Sequence, residues 1–228
     1  MSGAPVATPG HGLAGVADAG AFLARLVRFD PATVVRLRPV GGSGRTALWA
    51  RLPWDVLVVR TVAGVAPGDV TVAATDLLAR LESAESTLPA RRDAQWRWPL
   101  PPAASRQVEL LPAGELRRIA AAAAGTLRTA STEGVGGRAV GQRVLRDALL
   151  DHVAVTVVPD EPPGEPVEVS QRLVQGVVRM GFLGPAEAAD VQVRVAGRWV
   201  GLVGPYGAAW SRKVSDLAIR PAADRPNG

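Results

Sequence analysis

Cysteine is absent from all 228 residues. That excludes disulfides, thiol nucleophiles and cysteine-ligated zinc. Histidine is scarce: His11 and His152 are the only two, so most nucleophilic and zinc chemistries lack their parts. No stretch holds the roughly eighteen consecutive apolar residues of a membrane span. Met1–Gly12 lacks the basic start and apolar run of a signal peptide. Glycines are frequent, but the phosphate-binding pattern GxxxxGK[ST] does not occur. The expectation is a soluble, cytoplasmic chain that needs neither cofactor nor metal and has no business with membranes. Aromatics make up only 4% of the chain, yet six of them are Trp, so Val, Leu and Ala must build the core. Lysine is almost missing, with Lys213 alone against many arginines. This bias is that of a GC-rich genome, and it lowers the weight any one arginine carries. A net charge of +5 over this length is mild.

With 47% hydrophobic residues the chain can bury a real core. The pattern predicts an α+β fold in two units, joined by a linker over 89–105 and flanked by loose ends at 1–12 and 221–228. The first unit, 13–88, opens with a helix over Asp18–Phe29 capped by Asp18 and stopped by Asp30-Pro31. An antiparallel meander follows (Thr33–Arg38, Arg45–Leu52, Val56–Val62, with Val70–Ala74 as a fourth segment), then a helix over Thr75–Glu85. The second unit, 106–220, reads as strand Gln107–Leu111, helices Ala113–Ala130 and Arg138–Asp151, and strand Val153–Val158. It ends with a helix begun by Ser170 and closed by Gly181, then a hairpin Val191–Val203 turning at Ala196-Gly197. No internal repeat is visible.

Four constellations could carry function. The helix after Ser170 carries Gln171, Arg172, Gln175 and Arg179 on what reads as its solvent face, and the hairpin adds Arg194, Arg198 and Trp199. Arginine pairs with guanine and glutamine with adenine through two-pronged hydrogen bonds, so this unit suits nucleic acid. The bend Gly134–Gly137 with Arg138 and Arg143 opens a helix and could hold a phosphate; Gly136, Gly137, Arg138 and Arg143 are its candidate ligands. Asp147, Asp151 and His152 cluster, but charge balancing on one helix explains them, and no catalytic residue is assigned. The linker holds Arg91, Arg92, Trp96, Arg97 and Trp98 among four prolines. A free linker rarely leaves Trp in water, so it reads either as a clamp onto the fold or, through Arg92, Trp96 and Trp98, as a hot spot for a protein partner.

The stretches Arg91–Trp98, Gly136–His152 and Val167–Gly184 resemble an uncharacterised family of high-GC, actinomycete-type bacteria, a likeness that implies no activity. Met180-Gly181-Phe182-Leu183 and the hairpin resemble the last half of a winged helix-turn-helix domain, although there two helices directly precede the hairpin. The leading expectation is therefore a non-enzymatic regulatory protein binding nucleic acid through the arginine and glutamine face. The alternatives are a protein–protein adaptor using the Arg/Trp linker and an enzyme acting on a phosphorylated small molecule at the glycine bend.

Overall fold

A computed structural model describes residues 10–133, 142–158, 165–185 and 190–213. Helix α1 spans Val16–Phe29 and buries Ala19, Phe22, Leu23 and Leu26, one stripe at helical spacing. Its N-cap is Gly15, not Asp18; Asp18 lies in the first turn and pairs with Arg60 at 2.7 Å. Asp30 ends the helix in extended backbone, as a residue before proline must. Strands β1 (Val34–Val40), β2 (Arg45–Arg51) and β3 (Leu57–Ala63) form the meander. Strand β4 (Val70–Ala73) returns beside β1 and runs into α2 (Ala74–Glu82).

The second half starts with β5 (Arg106–Leu111), the long helix α3 (Ala113–Glu133) and α4 (Gln142–Asp151). A small two-stranded sheet follows, β6 (Val153–Val157) with β7 (Val167–Ser170), then α5 (Gln171–Arg179). Ser170 is the N-cap of α5, but its side chain makes no capping bond. The exit of α5 follows the sequence reading: Gly181 sits at φ +71°, and Phe182 N–H donates back to the Val177 carbonyl at 2.9 Å. Strands β8 (Val191–Ala196), β9 (Trp199–Gly204) and β10 (Gly207–Arg212) complete the fold. The hairpin turns at Gly197-Arg198, not Ala196-Gly197, because Ala196 faces Trp199. This slip of two residues across the pair leaves every side chain on its expected face: Val191, Val193, Val200 and Leu202 are buried.

The protein is α+β, and the two halves share one antiparallel sheet in the order β4-β1-β2-β3-β10-β9-β8-β5. The pairing of β3 with β10 makes the seam, through Ala208–Val59, Ala209–Val58 and Trp210–Leu57. The order is palindromic. Each half is a three-strand meander preceded by a helix (α1 or α5) and bordered by a strand that leads into a second helix (β4 into α2, β5 into α3). In each half the two helices pack together, α1 on α2 and α5 on α3. The repeat that the sequence conceals is thus present in the architecture. One hydrophobic core, with contributions from α1, α2, α3 and α5, fills the helix side of the sheet. A second, smaller cluster lies on the opposite face around Leu57, Ala196, Ala208 and Trp210.

Candidate docking surface

The face of the sheet away from the helices is crossed by the proline-rich segment 89–105. Its start caps the outer edge of β4. Arg92 N–H donates to the Thr71 carbonyl at 2.7 Å, and Thr71 N–H donates to Asp93 Oδ1 at 2.7 Å. These bonds satisfy backbone groups that an edge strand would otherwise leave open. The Thr71 N–H, and after it the Arg91 guanidinium, hold the Asp93 carboxyl below the usual carboxylate range. Asp69 is lowered likewise, chiefly by its hydrogen bond from Arg36 and then by charge attraction to Arg36 and Arg38.

Beyond Asp93 the chain lays two indoles on the sheet. Trp96 and Trp98 meet edge to face with ring centroids 5.4 Å apart, and Trp96 Nε1 donates to the Trp98 carbonyl at 2.7 Å. Arginines from the sheet stack on them: Arg36 lies 5.7 Å from the Trp96 ring centre and Arg51 5.0 Å from that of Trp98. Arg36 is itself fixed by a two-pronged bond to Asp69, 2.6 and 2.8 Å. At the far end Arg194, on β8, donates to Ser105 Oγ at 2.9 Å and to its carbonyl at 2.6 Å, tying the segment down. The Arg/Trp linker is therefore a strap held at both ends.

Because Asp93 and Asp69 titrate lower in the folded chain than in the unfolded one, their contribution is fully present above the ordinary carboxylate pKa. It fades as pH falls through the lowered folded values. Acidification below about pH 4 should loosen the start of the strap, and Asp93→Asn, which can still accept the Thr71 N–H, should blunt that response. Tryptophan emission followed against pH checks it.

Between the strap and the sheet runs an open groove of about 550 Å³. Trp49, Val59, Val203 and Trp210 line it from the sheet, and Leu100, Pro101 and Pro102 from the strap. The floor depends on Gly201. Trp210 pairs with it across β9 and β10, and a Cβ at 201 would meet the indole at 2.5 Å. Arg38 and Arg194 also line the groove. Arg194 has only Ser105 and Gln192 as hydrogen-bond partners and no carboxylate among the described residues; Arg38 reaches Asp69 at 3.6 Å. The groove is mostly apolar, with Thr61, Ser105 and Gln192 as neutral polar lining and Arg38 and Arg194 as its two cationic residues.

The residues proposed to read nucleic acid do not converge. Gln171 and Gln175 are not on a solvent face: they are 3% and 7% exposed, because α5 is roofed by α3 and α4. Arg172 is engaged by Asp151 at 2.6 Å and by the Trp54 carbonyl at 2.9 Å. Arg179 bonds to Gln175 Oε1 and lies over Trp54. Arg194 and Trp199 lie on the other side of the sheet, and Arg198 bonds to the Lys213 carbonyl at its turn. Arg92 is exposed and reaches Asp76 at 3.9 Å. Gly136, Gly137 and Arg138 lie outside the described residues, and Arg143 is exposed on α4, 4.0 Å from Asp147. Among the described residues no group of His, Asp or Glu could hold a metal, and no helix is long and apolar enough to cross a membrane.

A family model described as a domain of unknown function, DUF8185, matches residues 100–216, and a second, DUF8010, matches 11–98. No curated protein matches the sequence. Among solved structures the chain is similar to the β subunit of DNA polymerase from Streptococcus pyogenes, at 10% identity and a TM-score of 0.51, covering 87% of this chain and 62% of that one. It is similar also to the DNA polymerase III β subunit of Pseudomonas aeruginosa, at 15% identity and a TM-score of 0.50 over 88% and 63% of the two chains. The Caulobacter crescentus pol III β protein gives 12% identity and a TM-score of 0.50, covering 86% and 63%. The chain thus spans less than two thirds of the length of these subunits, and at such identities the likeness is one of fold. That fold, with the buried glutamines and the arginines divided between two faces of the sheet, overturns the reading of a simple nucleic-acid binder acting through an arginine and glutamine helix.

Proposed function

The chain belongs to the DUF8185 family, and from that premise we propose that it is a non-enzymatic protein-interaction module whose docking surface is the strap-bordered groove. The partner is an extended apolar segment flanked by acidic residues. The observation that carries this reading is the groove itself: a lining mostly of indole and aliphatic side chains that also includes Arg38 and Arg194. Apolar pockets with aromatic and arginine anchors are where binding energy concentrates, and charge at the border selects partners of opposite sign. The solved proteins of similar fold are by name subunits of a polymerase, which agrees with a part that works by assembly.

The test is a fluorescence titration of the full chain with eight-residue peptides of alternating Leu and Val, carrying either Asp or Lys at both ends. The acidic peptide should bind at least about tenfold more tightly, a difference of about 1.4 kcal/mol. Arg194→Glu should abolish the preference. Equal affinity for the two peptides, or none for either, defeats the proposal.

A further inference from the structure

On the helix side of the sheet a separate cavity of about 250 Å³ opens between α3, α4, α5 and the Pro53-Trp54 turn. Its wall is mostly apolar: Phe29, Trp54, Leu127, Leu149 and Leu150. Phe29 and Trp54 meet edge to face at 5.4 Å, and the Trp54 Nε1–H is already committed to the Arg172 carbonyl at 3.2 Å. Both indole and phenyl are therefore fixed before anything enters.

Into this apolar wall the chain sets the Arg179 guanidinium and the Gln171 amide. Arg179 is exposed at the mouth of the cavity with its guanidinium over Trp54, and among the described residues its one hydrogen bond runs from Nε to Gln175 Oε1 at 2.8 Å. No carboxylate pairs with it among the described residues. Asp147 also lines the cavity, but Arg143 and Arg146 are its ion-pair partners, at 4.0 and 3.8 Å. Gln171 is 3% exposed and lines the same cavity, and its buried side-chain Nε2 has no partner among the described residues. Burial and the neighbouring Arg146 charge both push the Arg179 pKa down, the mark of a cation placed where charge is disfavoured. A guanidinium at the mouth of an apolar cavity, with no carboxylate paired to it among the described residues, offers the counter-charge for an anionic ligand with an apolar body.

We infer that this cavity binds a small aromatic carboxylate, its ring against Trp54 and the leucines and its carboxylate accepting from Arg179. Size fits the assignment. An apolar void of about 150 Å³ holds one benzene, so this one takes a single ring with a short acid side chain, below the range of drug-sized ligands. A guanidinium matches a carboxylate in geometry as well as charge. The site is independent of the docking groove, which lies on the opposite face of the sheet.

Phenylacetate and phenylacetamide, equal in shape and different in charge, are the probes. The readout is the Trp54 indole N–H signal in ¹⁵N-edited NMR of the full chain. Phenylacetate should shift it saturably, at least about tenfold more tightly than the amide. Arg179→Gln should bring the acid to the affinity of the amide while leaving the amide unchanged. A shift that does not saturate, equal affinity for acid and amide, or an acid affinity that Arg179→Gln does not alter would overturn the assignment. If the variant fails to fold, the acid-against-amide comparison on the natural chain decides alone.

Discussion

Phe182→Ala should lower stability by about 3–5 kcal/mol, the range for emptying a buried aromatic site. For a chain of this size that is a melting temperature lower by roughly 10 °C. Phe182 is 1% exposed. Its ring stacks on Phe22 of α1, centroids 6.3 Å apart and planes within 15°. It also fills the space over Gly207, where a Cβ would strike the ring at 2.6 Å, and its carbonyl accepts Tyr206 N–H at 3.3 Å. One side chain thus joins the first helix of the first half, the exit of α5 and the turn into β10. Removing it opens a cavity between the halves, and the surrounding atoms, held by backbone pairing on both sides of the seam, have little freedom to close it. Denaturation followed by circular dichroism and by tryptophan emission should shift together as one transition. Two separate transitions would show that the halves unfold independently and that the shared sheet does not couple them. Phe22→Ala combined with Phe182→Ala should cost less than the sum of the two single changes, since both remove the same contact.

Gly201→Val should abolish peptide binding in the groove while costing only about 1–3 kcal/mol of stability, the range for overpacking. The valine side chain cannot coexist with the Trp210 indole, which covers the glycine. The indole must swing toward solvent, and the apolar floor that a partner would contact goes with it. The signature is a red-shifted emission, loss of near-ultraviolet dichroism and binding weakened more than about tenfold, beyond what any rim contact supplies. A variant that moves the indole yet keeps its peptide affinity would show that the floor of the groove is not where binding energy lies.

Much of the local structure was legible in the residues. The α1 stripe, the Asp30-Pro31 stop, the Gly181 exit and the inward valines of the hairpin follow from periodicity and backbone preference, which act within a few residues. Strand β10 was not legible. Gly207, Ala208 and Ala209 have weak strand preference; they are extended because β3 and β9 flank them, a tertiary cause. The same kind of cause hid the place of Gln171 and Gln175. Polar residues at helical spacing read as a solvent face, but α5 has α3 and α4 above it and the sheet below. The anchoring of the strap was legible in outline, since two indoles and four prolines argue against a free linker. Its course, from the β4 edge to Ser105, follows from partners far away in sequence and could not be read locally. In the docking groove, sequence reasoning named Arg194 but missed Arg38, Trp49 and Trp210: the only local signal of Arg38 and Trp49 was their phase on alternating strands, and Trp210, on the strand that was not legible, had none.

The position of the seam also orders events at the ribosome. The first four strands can pair as soon as they are made, but β3 keeps a bare edge, with Leu57 and Val59 unmatched, until residues 207–212 emerge to cover it. Nascent chains stalled before residue 207 should therefore recruit chaperones or self-associate through that edge, and those stalled well beyond residue 212 should not.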